Sequence, residues 1–254
     1  MSHTLNGLKK MLKKTDKEKS EEKALGYREI ADLKTQASLS ANLTIMINAA
    51  RKVEKGLKRD FGEIERVEIF SKQAEIFIKN AQLRTEKILK EELSKTRPDF
   101  GFKNDKEYNF HIIAIEGYEN FRHALPYFGS SIALEKNGEL IAEIAIFPIL
   151  DELFYAEKNR GTFVMTPRGS IRLRTSKKTE KEGLLVGTNK HMEGARFFGS
   201  HLLSMAYVAS GRLEAAISPL GLPGTLLVTE AGGRIKEGKE TVATNEKVFD
   251  TFTA

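Results

Sequence analysis

Asn137-Gly138 is the feature that most narrows what this chain can fold into. The pair sits between two runs rich in apolar residues, Tyr127 to Glu135 and Leu140 to Ile149. A two-residue Asn-Gly loop takes left-handed backbone at both positions, and that geometry joins antiparallel strands. Glu152 to Lys158 is expected to extend the hairpin into a meander. Phe110 to Ile115, a near-continuous apolar run, is expected to precede it as a strand.

The period upstream is helical. Leu43, Met46, Ile47, Ala50, Val53, Leu57 and Phe61 trace one helix face, with Ser40 placed to cap it. A second helix is expected to open at Asn80 and run through Leu83, Ile88, Leu89 and Leu93 to the break at Pro98. After the polar linker Lys177 to Gly183 the pattern alternates. Strands are expected at 184–187, 213–217, 233–236 and 241–244, and helices at 198–211 and 223–231. Helices, a meander and then αβ alternation point to stacked layers. The expected divisions are a basic extension over 1–36, an α+β domain over 37–175 and a smaller α/β domain over 176–254.

In the extension Leu5, Leu8 and Leu12 share one helical face beside Lys9, Lys10, Lys13 and Lys14. This reads either as a short amphipathic helix for a membrane surface or a partner, or as a weakly docked tail. No apolar run reaches the roughly 18 residues of a membrane span, and no apolar h-region follows the basic start. The absence of cysteine excludes disulfides and thiolate chemistry and fits a cytoplasmic location. Lys and Arg total 41 against 35 Asp and Glu, a formal charge of +6. That excess suits a solvated basic surface or a polyanion partner such as RNA. The aromatics do not interleave with the basic clusters.

Motifs with their own chemistry are few. His3, His111, His123, His191 and His201 lack the i, i+4 spacing of a helical metal site, and His111 reads as a core histidine. Phosphate-binding glycine loops and Gly-x-Ser-x-Gly are absent, and Ser130-Ser131 lies in a strand with no base beside it. On the residues alone the chain is a soluble αβ protein.

Four ordered blocks go further. Ile115 to Ala133 resembles a D-P-L-D-G-T-T-N-F signature followed by P-x-F-x-x-S-I-A. Asp151-Glu152-Leu153-Phe154-Tyr155-Ala156 to Gly161 resembles N-E-L-F-x-A-x-x-G-x-G. Ala206 to Arg212 resembles the end of L-A-Y-V-A-A-G-R, and Leu226 to Gly233 resembles L-L-V-x-E-A-G-G. These are blocks of the inositol monophosphatase family, and the chain is most similar to its bacterial extragenic-suppressor, or SuhB, subgroup. The resemblance implies a layered αβαβα sandwich, here truncated, and a homodimer. It also implies Mg²⁺-dependent hydrolysis of phosphate monoesters, in which metals activate a water and neutralise phosphate charge.

Carried over position by position, the resemblance also implies a degenerate site. The family's first signature Asp falls on Ile113, its Pro on Ala114, its second Asp on Glu116 and its Thr on Tyr118. The late Trp-Asp pair falls on Pro219 and Leu220, and a helical Asp falls on Ala81. The loop that supplies a Glu is missing near Lys103 to Glu107, and a segment between Gly187 and Phe197 is shortened. Mg²⁺ needs several hard oxygen ligands. Glu116 is the one weak metal candidate, with Glu107 and Glu119 as neighbours for a shifted site or, alternatively, as solvated turn carboxylates. No confident catalytic residue and no cofactor follow; Mg²⁺ is expected only if the protein hydrolyses an inositol or sugar phosphate. The other expectations are a catalytically impaired protein that binds the transcription or ribosomal RNA antitermination machinery, or a dimerisation partner for an active paralogue.

Overall fold

The first long helix forms where its apolar period places it. In the computed structural model, α1 spans Ala41–Ile64 and buries all seven residues of the expected face. Ser40 caps it, its Oγ accepting the Leu43 N–H at 3.1 Å. The structure describes residues 39–64, 72–180, 182–219, 221 and 223–253. The readings made for residues 1–36 and for Leu220 lie outside the described residues.

The second helix, α2, spans Lys72–Thr96 and so extends well before Asn80. Its buried stripe is Ala74, Ile78, Ala81, Thr85, Leu89 and Leu93, whereas Leu83 and Ile88 are exposed. The sequence reading followed large apolar residues. Leu89 and Leu93 are buried as expected, but the rest of the stripe is Ile78 with the smaller Ala74, Ala81 and Thr85. Asp60 of α1, almost fully buried, ties the helices together by accepting from Arg59 and from Arg84 of α2, each at 2.8 Å.

Six strands then form an antiparallel meander in chain order: β1 Tyr108–Glu116, β2 Gly129–Lys136, β3 Glu139–Phe147, β4 Glu152–Glu157, β5 Gly161–Thr166 and β6 Gly169–Arg172. Asn137 and Gly138 both have positive φ, 51° and 84°, and close the β2–β3 hairpin as expected. The last two strands were not legible, because Pro167 and Gly169 leave only short runs. Strand register sorts the side chains into two faces. Ile112, Ile132, Ile144, Tyr155 and Phe163 form one row across the sheet, and all face α1 and α2 in a first core. The adjacent row, Ile113, Ser131, Ala145, Phe154 and Val164, faces the other way.

That second face meets two short helices. α4, His201–Ala209, and α5, Thr225–Glu230, pack between the meander and a second sheet, forming a second core around Phe147, Phe154, Leu203, Met205 and Leu227. (Between β1 and β2 the chain makes the single-turn helix α3, Tyr118–Arg122.) The second sheet has the order β10-β11-β9-β7-β8, built from β7 Val186–Gly187, β8 Ala195–Arg196, β9 Ala215–Pro219, β10 Gly233–Glu237 and β11 Glu240–Asn245. A C-terminal turn, α6 Phe249–Thr253, lies against β11. The layers thus run helices, sheet, helices, sheet.

His111 corrects one reading. It is half exposed and its Nε2 lies 3.1 Å from Glu135. β1 is the edge strand of its sheet, so an apolar run there does not enclose every side chain.

Candidate functional site

β1 delivers its last residue, Glu116, to the point where the family resemblance places a metal ligand. A bulge between Ile113 and Glu116 breaks the register. Gly117 follows at φ 78°, and a Cβ there would meet the Tyr127 carbonyl oxygen at 2.7 Å. Only glycine serves this turn, because it must combine left-handed backbone with close approach to another chain segment.

Glu116 does not point into water. Its Oε1 accepts the His201 N–H at 2.8 Å, and its Oε2 accepts the Ser200 hydroxyl. Both partners lie at the start of α4, where the first N–H groups have no partner within the helix and the dipole favours an anion. Ser200 caps the same turn, its Oγ accepting from Leu203 at 3.1 Å. Burial pushes the Glu116 pKa up, and the bonds from Ser200 and His201 pull against that shift. Glu116 is therefore not a solvated turn carboxylate. It is an acceptor for a helix start.

The remaining positions diverge. Ala81 is fully buried in the first core, on the α1–α2 side of the meander. Ile113 belongs to the row on the opposite face, and its carbonyl accepts the Ser130 hydroxyl at 2.9 Å. Tyr118 opens α3 and packs against the first core. Glu107 and Glu119 are exposed and pair with Lys136 and His123. The structure thus does not gather Glu107, Glu116 and Glu119 into a shifted site. Among the described residues no group of three His, Cys, Asp or Glu side chains could hold a metal ion. This donor set does not fit Mg²⁺, which needs several hard oxygen ligands: Ala81 and Ile113 offer no side-chain oxygen, and Glu116 alone remains, turned toward the start of α4.

A second buried carboxylate went unread in the sequence. Glu143, in the middle of β3, is fully buried and accepts from Gly224 N at 2.5 Å and Leu226 N at 3.1 Å at the start of α5. Burial raises its pKa to about 7, against the pull of the helix N–H groups. The available signal was one charge inside the run Leu140 to Phe147. In the same row Thr162 donates its hydroxyl to Leu227 O at 2.6 Å, so this row bonds α5 to the meander through both Glu143 and Thr162.

Comparison with known proteins agrees with this architecture. Residues 38–249 match the model of the inositol monophosphatase family. An inositol-1-monophosphatase of Caulobacter vibrioides is 31% identical, the match covering 79% of this chain and 95% of that protein. Nus factor SuhB of Xylella fastidiosa is 27% identical, with 78% and 82% covered. A crystal structure of the extragenic suppressor protein SuhB of Bartonella henselae superposes with a TM-score of 0.72 at 31% identity, covering 84% of this chain and 97% of that one.

Proposed function

Because this chain belongs to the inositol monophosphatase family as a SuhB-like member, we propose that it acts by binding and has little or no phosphatase activity. The observation that carries this reading is Glu116. It is the one acid retained among the signature positions, and both its oxygens are engaged by Ser200 and His201. A metal-assisted hydrolysis draws several kcal/mol of transition-state stabilisation from its cations, about a thousandfold or more in rate. A chain without the carboxylates that hold them forfeits that factor.

The relatives called Nus factor SuhB support a transcription-related partner; within this proposal that partner is a complex of the antitermination type with RNA as one component, and the protein binds it as a homodimer. Among the described residues no helix is long and apolar enough to cross a membrane. A second reading, a Mg²⁺-dependent phosphomonoesterase, is favoured by the relatives named inositol-1-monophosphatase, three of which are 31% identical.

One preparation of the full chain separates the two. Inositol 1-phosphate is offered at millimolar Mg²⁺ beside an active relative, and the same protein is passed over an immobilised, reconstituted transcription elongation complex. The binding reading expects turnover about a thousandfold or more below the relative and retention on the complex. Turnover comparable to the relative's, or no retention, overturns it.

A further inference from the structure

The two bonds from Glu143 join layers that share no backbone hydrogen bond at this point. Glu143 stands on a central strand of the meander, and Gly224 and Leu226 start a helix that packs toward the second sheet. Gly224 has φ 107° and supplies no side-chain cap, and a Cβ there would meet Met205 Cβ at 2.4 Å. A six-residue helix is not stable on its own and holds its place through tertiary contacts. The start of α5 is therefore set by one carboxyl group without a countercharge.

The charged groups on the surrounding elements are engaged elsewhere. On α5, Glu230 accepts from Asn159 N and Gly161 N. On α4, His201 bonds Glu116 through its N–H, and its ring lies near Asn189. On β2, Glu135 meets His111, and Lys136 meets Glu107. On β3 and β4, Glu139 pairs with Lys158, Glu152 with Arg212 and Glu157 with Arg160. β5 carries no charge. Below α5, Arg234 covers the Phe249 ring, Lys236 bonds Thr253 O, Glu240 pairs with Lys190, and Glu237 is exposed.

We propose that Glu143 is a pH-sensitive latch, which fastens the first turn of α5 and the chain leading into it to the meander at acid pH and loosens it as pH rises toward neutrality. The geometry gives the direction. When α5 is docked, Glu143 is enclosed and holds its proton up to about pH 7; when α5 is undocked, the carboxyl meets water and ionises near its ordinary value of 4.5. Docking is therefore fully favoured below 4.5, and the advantage is lost as pH rises through about 7, with no further change above. This device goes beyond the binding role and operates whether or not the protein hydrolyses a phosphate ester.

Amide hydrogen exchange on the full chain, corrected for intrinsic rate and followed from pH 4.5 to 8, tests it, with the α1 amides as internal reference. The expected result is that protection at Leu226 to Val228 falls by about a hundredfold or more between pH 4.5 and 7 and then levels off. In Glu143→Gln the α5 profile becomes flat. An unchanged slope in that variant, or α5 protection that merely follows α1, overturns the proposal. So does a carboxyl ¹³C titration of Glu143 in the unaltered protein with a midpoint below pH 5, a measurement that decides the matter even if the variant does not fold.

Discussion

α4 and α5 lie side by side in the same layer and begin in opposite ways. α4 starts from Ser200, whose backbone is extended at φ −137° and whose hydroxyl caps Leu203. Glu116 adds an acceptor for His201, so the turn has one local cap and one borrowed one. α5 starts from a left-handed glycine with no side-chain cap, and its first N–H groups rely on Glu143, 81 residues earlier in the chain. A helix with its own cap is written locally and can share an outside carboxylate. A helix without one starts where a distant strand lets it.

The sharpest way to break this contrast is Glu143→Ala. It leaves two enclosed N–H groups without acceptors, each costing about 1–3 kcal/mol, and opens a cavity besides. The expected loss is about 3 kcal/mol or more in urea unfolding at pH 5. At pH 8 the loss should shrink by roughly 2–3 kcal/mol. There the unaltered protein itself carries the strain of an ionised, enclosed carboxylate, because the folded-state pKa stands near 7 and the unfolded one near 4.5. Equal losses at both pH values would mean that Glu143 is not a titrating acceptor, and α5 would then be no different from α4.

At α4 smaller effects are expected, and they should be coupled. Ser200→Ala removes a cap and should cost about 1–2 kcal/mol. Glu116→Ala should cost a similar amount, because a hydrogen bond to a charged group contributes about 1.5–3 kcal/mol, offset by relief of a carboxylate held partly out of water. Ser200 donates to Glu116, so the double variant should lose about 0.5–1 kcal/mol less than the sum. Glu116→Ala combined with Glu143→Ala should add within about 0.5 kcal/mol, since the two carboxylates serve different helices. Strong coupling between the glutamates would show the two helix starts to be one cooperative unit.

The same contrast explains what the sequence disclosed. α1 was legible to its cap, because every signal in it lies within a few turns. So was the β2–β3 hairpin, because Asn137-Gly138 dictates its backbone locally. The stripe on α2 was half legible: Leu89 and Leu93 are core residues as expected, but Leu83 and Ile88 are exposed, and Ala74, Ala81 and Thr85 become core residues only through what packs on them. The positions Ala81, Ile113, Glu116 and Tyr118 were found through the family resemblance, but the resemblance did not say where their side chains would go. Glu116 turned to a helix start 84 residues away, a partnership no local pattern records. Glu143 was visible only as a charge in an apolar strand, and its purpose lies in backbone N–H groups that a sequence does not display.

The smallest effect is expected from Glu116→Asp, which places at this position the residue type of the family signature. The side chain shortens by one carbon–carbon bond, about 1.5 Å, so the carboxylate draws back from the His201 N–H while the strand end stays fixed by Gly117. His201 is only partly buried, so water can replace the lost oxygen, and Ser200 still caps Leu203. The loss should stay below about 1 kcal/mol, a shift of about 2–4 °C or less in Tm. Calorimetry of the two proteins at pH 6 measures it. A loss matching that of Glu116→Ala would mean that the extra methylene of glutamate is what lets β1 reach α4. The start of α4 would then be borrowed too, and the distinction between a locally written helix and one written from a distance would no longer separate this pair.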